Sequence, residues 1–336
     1  TERVLLYCKM KKILFVDTVH PILEERLIEL GYVCEHDLKS SKQEIESKID
    51  QYFGLVIRSR FPINEFFLNK STGLKFIARS GAGLENINVA YAEKRGVTVF
   101  NSPEGNMDAV GEQAIGMLLM LFNQLKKGDL EVRNGIWDRE GNRGLELSKK
   151  TVGIIGYGNM GKALAEKLSG FGCRVIAYDK FKKAFFLPEL VEGQAKEIYQ
   201  KKIVEEVDLE TIFKETDVLS IHLPLSEETH HYVNEAFLSK FKKPIYLINT
   251  ARGNNVCVAD LVLGLKNKTV LGACLDVLEY ETKSFETINA EKLPEDFKYL
   301  TKSDKVILSP HVAGWTEESY VKLSSFLADK IEKKFN

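Results

Sequence analysis

The sequence predicts an α/β protein made of two doubly wound, parallel-sheet domains. Three observations carry that prediction. Short apolar runs of strand length alternate with helical patterns over most of the chain. The alternation comes in two blocks, separated by a long apolar helix pattern at Met107–Lys126. Within the second block, residues 151–179 read strand, glycine turn, helix, strand, acid in 29 residues.

The first block opens with strand-like Ile13–Asp17 and a helix from Pro21 to about Leu30. Tyr32–Glu35 reads as a strand, a helix is expected near Lys42–Tyr52, and Leu55–Arg58 is the third strand. A short helix at Asn64–Leu68 precedes strand Leu74–Arg79. Gly81-Ala82-Gly83 is then expected to turn the chain into a helix over Val89–Arg95, and strand Val97–Asn101 closes the block. Five strands alternating with helices imply a small parallel sheet.

The second sheet is expected to hold the two strands of 151–179, then Val218–His222, Pro244–Asn249, Val270–Leu275 and Val306–Leu308. A last helix, Thr316–Lys334, has no strand to serve there. It is expected to return to the first sheet and make that domain discontinuous, giving residues 10–101 plus 315–336 and residues 102–314. Residues 181–205 and 282–304 are polar, poorly periodic and read as loops. Residues 1–9 read as an extension ahead of Met10, outside the fold.

Composition excludes several function classes. The 336 residues carry Lys+Arg 47 against Asp+Glu 48, a net charge of −1, so no basic tract points to nucleic acid. The longest apolar stretch, Ala114–Phe122, is too short to span a bilayer, so no membrane partner is expected. Five scattered cysteines without a CxxC pair suggest a reducing, cytoplasmic setting. His230 and His231 are adjacent and read as surface residues, and no ligand-spaced cluster indicates a metal.

The glycine turn carries the first chemistry. Gly156 makes a tight turn, Gly158 lets backbone N–H groups approach a pyrophosphate at a helix N-terminus, and Gly161 permits close helix–strand packing. Asp179, 18 residues past Gly161, is placed to accept both ribose hydroxyls of an adenosine. The bland alternative is an ordinary βαβ unit. The acid favours NAD over NADP, since a 2′-phosphate would meet a carboxylate; Lys180, Lys182 and Lys183 keep NADP as the alternative.

Three further segments lie at strand ends, where open α/β sheets place ligands. They are Ile248-Asn249-Thr250-Ala251-Arg252-Gly253, Leu275-Asp276-Val277-Leu278-Glu279-Tyr280-Glu281 and Ser309-Pro310-His311-Val312-Ala313-Gly314. An Arg, an acid and a His on three loops of one rim make an acid–base constellation. A carboxylate holds the His ring and favours its protonated form, so the His gives a proton to a carbonyl oxygen as hydride reaches carbon. An Arg grips a carboxylate bidentately.

In this order, GYGNMG…D, NTARG, LDV…E and SPH resemble the D-isomer-specific 2-hydroxyacid dehydrogenase family from about residue 11 to the end. The resemblance implies a flavodoxin-like substrate domain and a Rossmann cofactor domain with an active-site cleft between them. It makes Arg252 the substrate clamp, Glu281 the catalytic acid partner (five residues after Asp276), and His311 the proton donor in reduction and base in oxidation. The family usually has Pro after that Glu; here it is Thr282, and the segment from Glu281 to His311 is longer than usual. Cofactor contacts implied likewise are Asn159 and Met160 over the pyrophosphate and Asp179 on the ribose. His222-Leu223-Pro224 would flank the adenosine; Thr250, Ala251, Arg252, Asp276, His311 and Gly314 would lie toward the nicotinamide.

Within the family the first domain is similar to 3-phosphoglycerate dehydrogenases, without the C-terminal regulatory domain of some relatives. Arg58-Ser59-Arg60 matches a pattern used there at the substrate phosphate. The Gly81-Ala82-Gly83 turn (Ala82, Gly83) offers N–H groups to a carboxylate, and Asn106 matches a family Asn near the substrate. The expected reaction is therefore NAD-dependent interconversion of a D-2-hydroxy acid and a 2-keto acid, first 3-phosphoglycerate and 3-phosphohydroxypyruvate, as in serine biosynthesis. Glyoxylate or hydroxypyruvate reduction is the runner-up, and an NADH-sensing, corepressor-like binding protein is the alternative of another class. A substrate held by arginines of both domains would bridge the cleft.

Each residue also has a structural reading. Arg58 and Arg60 point to opposite faces if their strand continues, which would leave one as an ion pair. Glu281 alone would be a solvated acid, and His311 alone a helix-cap His. Apolar Met107–Lys126 and the arm Asn134–Leu147, with Ile136 and Trp137, point to a homodimer in which a partner covers them.

Overall fold

The computed structural model describes residues 11–181, 204–281 and 293–336. Contacts divide the chain into two compact units, one running to Asn106 and resuming at Trp315–Asn336, the other spanning Met107–Gly314. The division falls five residues after the 101/102 boundary read from the sequence. The intervening turn belongs to the first unit because Glu104 pairs with Lys330 at 2.9 Å and a Cβ on Gly105 would lie 2.6 Å from the Leu323 nitrogen. The extension 1–9, Lys182, Lys183 and Thr282 lie outside the described residues.

The first unit holds strands β1 (Lys12–Phe15), β2 (Val33–His36), β3 (Gly54–Ile57), β4 (Phe76–Arg79) and β5 (Thr98–Phe100). They form one parallel sheet in the order β2-β1-β3-β4-β5. Side chains alternate between two cores, as a sheet covered on both faces requires. Leu14, Leu55, Ile57 and Ile77 face one core; Ile13, Phe15, Val56 and Phe76 face the other. The last helix, Glu317–Phe335, is capped by Thr316 and sends Leu327, Ala328 and Ile331 into that second core.

The second unit holds β6 (Thr151–Ile155), β7 (Arg174–Tyr178), β8 (Glu205–Glu206), β9 (Val218–Ile221), β10 (Ile245–Asn249), β11 (Val270–Leu275) and β12 (Val306–Leu308). Its parallel sheet has the order β12-β11-β10-β9-β6-β7-β8. Register pairs Ile155 with Tyr178 and Ile221, Ile221 with Asn249, Asn249 with Leu275, and Leu275 with Leu308. Six strands therefore end in one row. The residues that follow, Gly156, Asp179, His222, Thr250, Asp276 and Ser309, begin six loops on one rim.

Several expectations need correction. The Gly81-Ala82-Gly83 turn does not open a helix; Asn88 caps Val89–Lys94 by accepting from the Tyr91 nitrogen, and residues 81–87 run irregularly between. The long helix stops at Phe122 because Gln124 takes a left-handed φ of 49°, and a second helix, Leu125–Arg133, follows. The sheet gains β8 where the 181–205 stretch read as a loop ends; two acidic residues carry no strand signal, and their pairing to β7 decides it. Residues 295–302 form a helix with two acids in its first turn and Leu300 buried on one face. Among the described residues no helix is long and apolar enough to cross a membrane.

Candidate active site

The Asn249–Arg252 turn is locked by its first residue. The buried Asn249 side chain accepts from the Ala251 nitrogen at 3.0 Å and donates to the Arg252 carbonyl at 3.0 Å. That double clasp sets Arg252 three residues past the end of β10, where its Nη1 donates to the Ala251 carbonyl at 2.7 Å. Gly253 then presses against the neighbouring loop: a Cβ there would stand 2.0 Å from the Leu278 carbonyl oxygen. No other residue type fits that approach, which gives the glycine of NTARG a physical reason.

On the next strand Asp276 organises the loop that carries His311. Its Oδ1 accepts from the Ser309 hydroxyl at 2.6 Å and the Val312 nitrogen at 2.9 Å, and its Oδ2 from the Ala313 nitrogen at 2.9 Å. The Asp276 carbonyl also accepts from the His311 nitrogen at 2.7 Å. These bonds hold His311 at a φ of 54°, a left-handed conformation costly for a residue with a Cβ. The imidazole Nδ1 lies 2.6 Å from Glu281 Oε2, while Glu281 Oε1 accepts from the Leu278 nitrogen. The other nearby acid is engaged elsewhere: Glu279 Oε2 lies 2.7 Å from His231 Nε2. Geometry thus separates the two acids of LEYE, pairing the second with His311.

At the glycine turn, Gly156 has a φ of +91° and sits where a Cβ would strike the His222 carbonyl oxygen at 2.5 Å. A Cβ on Gly161 would strike the Gly156 oxygen at 2.2 Å, whereas one on Gly158 would meet nothing within 4 Å. The first two glycines are needed by the protein's own packing. Gly158 opens onto free space at the start of the helix Asn159–Leu168, where backbone donors point outward. Asp179 accepts from the Tyr157 nitrogen at 2.8 Å through one oxygen and from the Phe181 nitrogen at 2.9 Å through the other. Thr250 Oγ1 and His222 Nδ1 are buried without a protein partner, and burial pushes the His222 pKa down to about 4. Orphaned polar atoms on a glycine-walled rim fit a polar ligand.

The first unit's candidates are used differently. Asp17 Oδ2 accepts from the backbone nitrogens of Arg58, Ser59 and Arg60 at 2.6, 3.1 and 3.2 Å. The Arg60 guanidinium donates to the carbonyls of Val16 at 2.8 Å, Asp37 at 2.6 Å and Ser40 at 2.5 Å. These bonds turn three Arg60 donors to the unit's own backbone, a placement different from the phosphate contact expected of it. The Arg58 guanidinium carbon instead lies over the Trp315 ring, 4.4 Å from its centroid, a cation–π contact. Asn101 donates to the Ala82 carbonyl at 2.6 Å, and Asn106 Oδ1 is buried without a partner. Nothing in the sequence marks Asp17 or Trp315 for these roles, because isolated residues outside a motif have no period or spacing to betray them.

Residues 115–313 match the family model described as D-isomer specific 2-hydroxyacid dehydrogenase, NAD binding domain. The chain belongs to that dehydrogenase family. A hydroxypyruvate reductase of Thermotoga maritima is 33% identical over 91% of this chain and 91% of its own length. A D-3-phosphoglycerate dehydrogenase of Bacillus subtilis is 31% identical over 98% of this chain and 56% of its own length. The chain thus spans about half the length of the phosphoglycerate dehydrogenase relatives it matches. A D-lactate dehydrogenase from Aquifex aeolicus, solved with NAD and lactic acid, superposes with a TM-score of 0.77 at 26% identity, covering 96% of this chain and 94% of the other. A D-2-hydroxyisocaproate dehydrogenase superposes at 0.79 and 26%, covering 97% and 98%.

As a member of this family the dehydrogenase is an NAD-dependent oxidoreductase, and its second unit is the NAD-binding domain. The residues present fit the cofactor. The open Gly158 cradle suits a pyrophosphate, Asp179 stands at the end of the second strand of this unit, and the orphaned Thr250 and His222 atoms offer polar contacts along the rim.

Proposed function

We propose that this dehydrogenase interconverts a D-2-hydroxy acid and its 2-keto acid through Arg252, Glu281 and His311. One observation carries the reading: His311 and Glu281 pair at 2.6 Å on loops leaving adjacent strands, and Arg252 leaves the strand beside them. When bound, the cofactor would supply the redox half of the reaction, taking up a hydride as NAD or giving one up as NADH. The Gly156–Gly161 turn, Asn159, Met160 and Asp179 would hold it, with His222, Leu223, Pro224, Thr250, Ala251, Asp276 and Gly314 around it. Arg252 pairs its fork with the substrate carboxylate and sets the adjacent carbonyl toward the His. Glu281 accepts the Nδ1–H of His311, which leaves Nε2 as the proton carrier. In reduction Nε2–H gives its proton to the carbonyl oxygen. In oxidation neutral Nε2 takes the proton of the hydroxyl.

The first substrate in this reading is 3-phosphoglycerate, with Arg58 supplying the cation for its phosphate. The single presented guanidinium favours a second reading, hydroxypyruvate or glyoxylate reduction, since Arg60 is committed to carbonyls. Turnover of NADH with matched phosphorylated and unphosphorylated 2-keto acids decides between them. No turnover on any 2-keto acid would leave the NADH-binding, corepressor-like reading in its place.

The same proposal makes the protein a homodimer. Leu125, Leu130 and Val132 of one helix and the following Ile136 and Trp137 are all exposed, Trp137 at 79%. Light scattering at micromolar concentration is expected to give twice the chain mass, and a monomer removes the dimer.

A further inference from the structure

Glu279 stands apart from the groups assigned above, yet it joins three of the segments that carry them. Its Oε2 meets His231 Nε2 at 2.7 Å, and its Oε1 accepts from the Val258 nitrogen at 3.1 Å, the first residue of the helix Val258–Asn267. That helix directly follows the Arg252 turn. The loop around His231 grips the same turn from the other side. His231 and Val233 donate their backbone nitrogens to the carbonyls of Asn254 at 2.7 Å and Asn255 at 2.9 Å, and Cys257 returns a bond to Val233 at 3.0 Å. Asn255, fully buried, sends its amide to the Thr229 carbonyl at 3.1 Å. Beneath the clasp, Gly253 lies flush on the Leu278–Glu279 peptide.

His231 adopts a left-handed φ of 49°, a conformation a β-carbon disfavours and surrounding bonds must hold. The Glu279 carboxylate, with its side chain 16% exposed, makes one of those bonds. It stands two residues before Glu281, on the same loop that brings Glu281 to His311. Displacing it would free the His231 loop, the start of the helix and, through both, the Arg252 turn from the Glu281 loop.

We propose that Glu279 is a positioning residue for the reaction: with His231 it staples the Arg252 turn to the Glu281 loop and so sets the spacing between the carboxylate clamp and the acid–base pair. The inference rests on the reading of Arg252, Glu281 and His311 given above. Misplacing a clamp by about 1 Å costs on the order of 100-fold, so Glu279→Ala is expected to lower kcat/KM for the 2-keto acid by about 10- to 100-fold. NADH affinity, read by fluorescence titration, is expected to fall far less than the 2-keto-acid terms, because Asp179 and the glycine turn lie on other strands and only Thr250 and Ala251 share the displaced turn. Affinity of the NADH-loaded protein for oxamate, a non-reacting 2-keto-acid mimic, is expected to fall with kcat/KM.

His231→Ala gives a second route to the same staple should Glu279→Ala fold poorly. Residues acting through one contact are not additive, so the double variant is expected to be no worse than the poorer single. Wild-type kcat/KM in both single variants overturns the proposal. So do additive losses, or a parallel fall in NADH affinity, which would mark a general loosening of the unit. Failure of the underlying reading looks different: there Arg252→Ala and His311→Ala would retain wild-type turnover.

Discussion

The strand-end rims of the two sheets differ in what fills them. In the second unit, six loops begin in one row and leave buried polar atoms unmatched: Thr250 Oγ1 and His222 Nδ1 have no protein partner. In the first unit, the loop after β3 is tied to the loops after β1 and β2. Asp17 takes three backbone N–H groups and Arg60 reaches three carbonyls, so donors and acceptors cancel within the fold. One architecture thus serves two ends. Where polar groups are left over, a ligand is expected to complete them; where they are matched internally, they set the backbone. Exceptions in the first unit are the Arg58 guanidinium, which lies over Trp315, and the buried Ser102 Oγ and Asn106 Oδ1, which have no protein partner.

The largest break in that contrast is expected at the catalytic pair. His311→Ala removes the proton carrier from the second rim and leaves the glycine turn and Asp179 in place. The chemical rate is expected to fall by about 10²–10⁴-fold, measured by single-turnover kinetics with NADH, while NADH binding persists. Wild-type turnover in this variant removes His311 from the mechanism.

The next effect separates the two arginines of one tripeptide. Arg58→Gln is expected to lower kcat/KM for 3-phosphohydroxypyruvate by about 10- to 150-fold more than for hydroxypyruvate, the value of a charge-assisted contact of about 1.5–3 kcal/mol. Arg60→Ala is expected to act on both substrates alike and to lower the melting temperature, because three carbonyls lose their donor. Equal losses on both substrates in Arg58→Gln would place Arg58 with Arg60 as structural, and move hydroxypyruvate or glyoxylate ahead as substrate.

Legibility from the sequence follows the same division. The second rim was readable because its groups follow strands at fixed offsets: the glycines, Asp179, Arg252, Glu281 and His311 each sit in a short local pattern. The bonds that hold those groups were not readable. His231 and Glu279 are 48 residues apart, and Asp17 lies 41 residues from Arg58, so nothing local marks either pair. Both Arg58 and Arg60 fit an anion site by type and spacing, and the carbonyls that claim Arg60 come from loops after β1 and β2. Among the elements, β8 and the helix at 295–302 escaped because two acidic residues and one polar stretch carry little apolar periodicity; pairing to β7 and burial of Leu300 supply what the pattern lacked.

The smallest expected effect tests whether the unmatched atoms of the second rim carry a cost in the ligand-free protein. His222 lies just past β9, bonded to the Ser220 hydroxyl at 2.9 Å through Nε2, with Nδ1 buried and unpartnered. Burial lowers its pKa from 6.5 to about 4, so the fold disfavours the charged ring. The unfolded chain takes up that proton below pH 6.5, while the folded chain does not until about pH 4. Stability from this group is therefore complete above pH 6.5 and falls as the pH drops toward 4, by roughly 2 kcal/mol at pH 5. Urea midpoints of the ligand-free protein at about pH 7.5 and about pH 5, compared between wild type and His222→Gln, read the difference. The wild type is expected to lose more on acidification than the variant, because glutamine takes up no proton. Equal losses would mean that His222 charges freely in the fold, and that its ring is solvated on this rim rather than held dry for a ligand.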